Sequence, residues 1–76
     1  MKTEPANIYI FTSNIATAQD VLVLRDVFDR HPQIECWSVD TEDCDKVLRV
    51  ISGEMSSMRI KELVRLCGYD CVELTD

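Results

Sequence analysis

The chain has 76 residues, room for one small domain and no second one. Apolar residues make up 46% and charged residues 29%, with two glycines and two prolines, a balance that predicts a packed core and excludes a disordered segment. Fourteen acidic against eight basic residues leave a formal net charge of -6 with no Lys/Arg cluster, so a phosphate backbone is repelled and nucleic acid is not an expected partner. No apolar run approaches the roughly 20 residues that span a bilayer, and Met1-Lys2-Thr3-Glu4-Pro5 has no apolar leader core, which predicts a cytoplasmic protein with no membrane partner. The four cysteines, Cys36, Cys44, Cys67 and Cys71, form no C-x-x-C pair and are expected as free thiols.

Along the chain, Ile8, Ile10 and Thr12 alternate with Tyr9, Phe11 and Ser13, the period of a strand with two unlike faces. Thr17 reads as a helix N-cap with Asp20 three residues on, a capping-box variant whose carboxylate also suits the positive end of the helix. Val21, Leu24 and Phe28, with Val27, fall on one side of that helix, and Pro32 stops it at about His31. Residues 34–40 alternate again, with Trp37 and Val39 on one face, and the polar 41–45 segment turns the chain into a strand over 46–52. After Gly53, Ser56 or Ser57 caps a second helix carrying Ile60, Leu63, Val64 and Cys67 on one stripe; Gly68 ends it and residues 70–74 form a last strand. Right-handed crossovers turn this order into an α+β, ferredoxin-like βαββαβ sandwich, a four-stranded antiparallel sheet with both helices on one face.

At this point the chain resembles the heavy-metal-associated (HMA) domains of copper chaperones and metal-pumping ATPases, over nearly its whole length. Their pattern runs from a Gly-Met-Thr-Cys-x-x-Cys loop through a helix to Pro-Gly-Val and Val-x-Val-Asp, and closes on Gly-Tyr or Gly-Phe. Here Asn14-Ile15-Ala16 stand at the first three places, Thr17 and Asp20 at the two cysteines, and Pro32-Gln33-Ile34, Trp37-Ser38-Val39-Asp40 and Cys67-Gly68-Tyr69-Asp70-Cys71 keep the middle and end. The resemblance implies the fold and, with both ligand positions changed, a degenerate metal loop. A hydroxyl and a hard carboxylate do not replace thiolate sulfur toward copper(I), so Thr17 and Asp20 are predicted not to bind metal, and no cofactor is expected.

An alternative soft-metal site, for copper or zinc, is Cys44 with Cys67 and Cys71, because the 14–17, 41–45 and 67–71 segments are expected at one end of the sheet near Asp20 and Tyr69. Against it, Cys67 and Cys71 also fit as small core residues, and Cys44 lies among Glu42, Asp43 and Asp45, whose charge opposes a thiolate. The acidic turn lacks the glycine and terminal glutamate of a calcium loop, and His31 has no nucleophile beside it in sequence. Acylphosphatases and RNA-recognition domains share the element order, but the first loop has no phosphate-cradling arginine and the third strand no aromatic-glycine signature.

With Ile8, Ile10, Trp37, Val39, Leu48 and Val50 assigned to the core, Tyr9, Phe11, Cys36, Val47, Arg49 and Ile51 are expected on the sheet face that no helix covers. Tyr9, Phe11, Val47, Arg49 and Ile51 are therefore the predicted association face for a protein partner or a homodimer. The reading is a non-enzymatic HMA-like domain acting by protein association; the alternatives are a metallochaperone or metal sensor using the non-standard cysteines, and a small-ligand regulatory domain of the same topology.

Overall fold

A computed structural model describes residues 7–74, so the 1–5 segment read for a leader lies outside the described residues. The elements are β1 (Asn7–Ser13), α1 (Ala18–Phe28), β2 (Ile34–Val39), β3 (Leu48–Ser52), α2 (Ser57–Leu66) and β4 (Cys71–Glu73). They form one antiparallel sheet in the order β2-β3-β1-β4, the α+β ferredoxin-like arrangement. Leu24 and Phe28 of α1 and Ile60, Leu63 and Val64 of α2 share one core with Phe11, Leu48 and Val50, which puts both helices on the same face of the sheet.

Both helices begin where side-chain oxygens meet free N–H groups. Thr17 and Asp20 complete a reciprocal capping box on α1, and Ser56 Oγ accepts from the Arg59 N–H on α2. The end of α2 is a paired C-terminal turn: Gly68 N–H donates to Arg65 and Tyr69 N–H to Val64, with Gly68 at φ +93°, where a Cβ is strained. Helix α1 ends at Phe28, ahead of the expected stop near His31, because Arg30 and His31 N–H groups already bond three residues back, to Val27 and Phe28. Phe28 then meets Trp37 of β2 edge-on, ring centres 5.1 Å apart.

The β2–β3 connection is longer than the expected 41–45 turn, and β3 starts at Leu48. Asp40 Oδ1 accepts from the Glu42 and Asp43 N–H groups, Asp43 Oδ1 from that of Asp45, and Lys46 sits at φ +48°. These local bonds give the backbone an alternative to the ladder. On the core side of β3, Ser52 is fully buried; its Oγ donates to Gln33 O at 2.6 Å and accepts from the Met55 N–H.

One strand face is the reverse of the sequence expectation. In β1, Phe11 is fully buried and Tyr9 packs against the core, while Ile8 is 61% exposed. The cause is register: Phe11 pairs with Leu48 and Tyr9 with Val50, so they share the core face of β3, and Ile8 and Ile10 pair with Ile51 and Arg49 on the other face. Because β1 is apolar on both faces, its alternation has no polar contrast to set the phase.

Candidate functional site

Three chain segments meet at one end of the sheet. Ser13 N–H donates to Asp45 O and Ser13 Oγ to Lys46 O at 2.6 Å, tying β1 to the acidic turn. Asn14 Oδ1 accepts from the Asp70 N–H at 2.9 Å, tying the first loop to the approach of β4. Ile15 is fully buried and anchors the loop from below.

Of the two residues that the sequence resemblance sets at cysteine places, Thr17 and Asp20, Asp20 is already engaged on both carboxylate oxygens. Tyr69 Oη donates to Oδ1 at 2.6 Å; the Ala16 and Thr17 N–H groups donate to Oδ2, both at 3.1 Å; and Thr17 Oγ1 accepts from the Asp20 N–H. The Tyr69 bond, followed by the Ala16 N–H, holds the Asp20 carboxyl below its ordinary value, and the same bond pushes the Tyr69 phenol up. Chemically the loop is a closed oxygen network, with Asp20 tied through Tyr69 to the turn that follows α2. The capping role of Thr17 and Asp20 was legible in sequence; the Tyr69 bond, made across 49 residues, was not.

The cysteines divide into two environments. Cys67 and Cys71 pack against the core, and burial is the first cause that pushes both thiols up, away from the thiolate a soft metal needs. Cys44 is exposed; among the described residues its Sγ groups with carboxylate oxygens of Asp43 and Asp45 within 4.8 Å, and not with Cys67 and Cys71. The expected trio of Cys44, Cys67 and Cys71 is therefore not drawn together into one ligand set.

The face of the sheet away from the helices carries Ile8, Ile51 and Cys36 abreast, then Ile10, Arg49 and Ser38, and toward β4 the pair Thr12 and Val72. Ile8, Val72 and Leu74 are strongly exposed, and Arg49 and Ile51 lie on this side as expected. Val47 lies just before β3, half-buried at the rim, where its carbonyl accepts from the Asp40 N–H. Of the five residues expected on the association face, Tyr9 and Phe11 belong to the core, and Ile8, Ile10, Val72 and Leu74 take their place. The signal that finds them is Arg49: a charged residue in the middle of β3 marks the open face, and antiparallel pairing transfers the mark to Ile10.

No protein-family model matches the chain, and no curated protein matches it in sequence. Among solved structures, it is similar to the apo form of the HMA domain of the copper chaperone for superoxide dismutase. The TM-score is 0.75 at 14% sequence identity, over 99% of this chain and 76% of that one. At that identity the likeness speaks to fold alone. The chain therefore has the HMA-type ferredoxin-like fold.

Proposed function

We propose that this chain is a non-enzymatic, HMA-like domain of the cytoplasm whose metal loop has become structural and which acts by binding protein through its open sheet face. The observation that carries this reading is the Asp20 carboxylate, whose two oxygens serve Tyr69, Ala16 and Thr17 where thiolates would face a metal. A soft ion at that loop would meet only hard oxygen donors already in use. Among the described residues no helix covers the second sheet face, which carries exposed apolar side chains and supports association as the activity, and the net charge of -6 disfavours nucleic acid as the partner. Among the described residues no helix is long and apolar enough to cross a membrane.

Titration of the purified chain with copper(I) and zinc against a competing chelator tests the first half. The wild type is expected to bind weakly, and Thr17→Cys with Asp20→Cys to create a tight site, since two thiolates would then flank the start of α1. Tight stoichiometric binding by the wild type, lost in Cys44→Ser, would overturn the reading in favour of a metallochaperone or sensor.

A further inference from the structure

We infer that the free edge of β4, beside the cations of α2, takes up an extended segment of a partner protein whose residues alternate between acidic and apolar. The inference rests on the reading of this chain as a protein-binding domain, and it names the edge used and the chemistry of the partner. The sheet order β2-β3-β1-β4 puts β4 at an edge. Leu74 N–H donates to Ile10 O and Asn14 N–H to Asp70 O, so the hydrogen-bonded pairs of this ladder are Ile10 with Leu74, Thr12 with Val72 and Asn14 with Asp70. The N–H and C=O groups of Cys71 and Glu73 therefore point away from β1, to the side where an added strand pairs.

Side chains alternate along the same strand. Cys71 and Glu73 lie on the helix side, Cys71 against the core and Glu73 in a groove of 360 Å³ that it shares with Met58, Lys61 and Arg65 of α2. Glu62 also lines the groove but pairs with Arg59 at 3.5 Å, whereas Lys61 and Arg65 have no ion pair among the described residues. Helix α2 thus exposes Arg59, Lys61 and Arg65 against Glu62 alone, a local reversal of sign in a chain of net charge -6. Both free cations act at the strand: burial pushes the Cys71 thiol up, with Asp70 adding to it, and Lys61 and Arg65 pull it down. Carboxylates on the helix side of an added strand meet these two cations, and apolar residues on its other side extend the exposed row of Val72 and Leu74. The opposite edge offers none of this. Strand β2 holds Glu35 and no cation, has a register irregularity between Ile34 and Cys36, and leads into the acidic turn. An edge as short as Cys71–Glu73 makes few main-chain bonds, so the α2 cations select the partner and the complex is salt-sensitive.

Amide NMR of the chain, titrated with a short synthetic peptide alternating valine with glutamate and with another alternating valine with lysine, tests the arrangement. The glutamate peptide is expected to protect the Cys71 and Glu73 amides from solvent exchange, with no new protection at Val72 and Leu74, whose amides already face β1. Lys61→Glu combined with Arg65→Glu, both on the exposed side of α2, should weaken binding about tenfold, and added salt should act in the same direction. Glu73→Gln should strengthen it by removing the one carboxylate left free in the groove. Equal binding of the two peptides, no protection at about 1 mM glutamate peptide, or an unchanged affinity in the double variant would overturn the inference. Protection of the same amides on concentrating the chain alone would give the edge to a second copy and overturn it as well. Capture of a protein partner that is lost in Ile10→Glu but untouched by the double α2 variant would remove the edge site and leave the open-face reading standing.

Discussion

The two faces of this sheet are built from similar side chains and differ in what covers them. On one side Phe11, Leu48 and Val50 are fully buried under the helices; on the other Ile8, Ile10, Ile51 and Val72 occupy equivalent ladder positions, with Leu74 just past β4, and among the described residues no helix lies over them. Burial at about 25 cal/mol per Å² of apolar surface rewards the first set within the monomer and leaves the second available to a partner. Apolar character in a strand therefore states that a side chain wants cover. It does not state whether the chain itself provides that cover.

Substitutions that put the same charge on opposite faces test this contrast most directly. Phe11→Glu is expected to unfold the domain, because truncating a buried Phe alone costs about 3–5 kcal/mol and a carboxylate adds its desolvation. Ile10→Glu, one residue away, should keep the circular-dichroism spectrum and change thermal stability little while removing association. If both variants unfold, or if Phe11→Glu folds, the assignment of the two faces is wrong.

A smaller effect is expected at the polar edge of the covered face. Ser52→Ala leaves the Gln33 carbonyl and the Met55 N–H without their partner and should cost about 1–3 kcal/mol, measured by urea unfolding. Ser57→Ala, one residue inside the exposed start of α2, serves as the control and should be near neutral, since Ser56 makes the cap.

The thiols report on the same contrast without altering stability. Cys36 on the open face and exposed Cys44 should react with an anionic thiol reagent in the native state, Cys44 the slower at low ionic strength beside its carboxylates, with Cys67 and Cys71 protected until unfolding. Mass spectrometry over time gives the order, and early labelling of Cys67 would contradict its place against the core.

The smallest effects lie in the closed loop. Thr17→Ala removes the α1 cap and should cost about 1 kcal/mol. For Asp20 the folded carboxyl titrates below its ordinary value of 3.8, so its stabilisation is complete above that pH and is lost as the pH falls through the lower folded value. The Tyr69 phenol is raised above 10.0, so its share is complete below that pH and is lost as the pH climbs through the raised value. Tyr69→Phe should remove the alkaline limb and weaken the acid one. Unfolding midpoints that give wild type and Tyr69→Phe the same pH profile would show that the hydrogen bond contributes nothing to the loop.

Local sequence encodes the element order, a cap at Thr17 and one at Ser56 or Ser57, the C-terminal turn at Gly68 and the helix stripes of Leu24, Phe28, Ile60, Leu63 and Val64. Each is a local matter of backbone geometry or of a 3.6-residue period. It also determined which face of β2 and β3 is buried, because Ser38 and Arg49 give those strands polar contrast. Tertiary structure alone decided the phase of β1, the Asp20–Tyr69 bond and the separation of Cys44 from Cys67 and Cys71. β1 carries apolar residues on both faces, so only pairing with β3, distant in sequence, could choose between Phe11 and Ile10. Contacts between residues far apart along the chain are fixed by how the elements dock, and no local period encodes them.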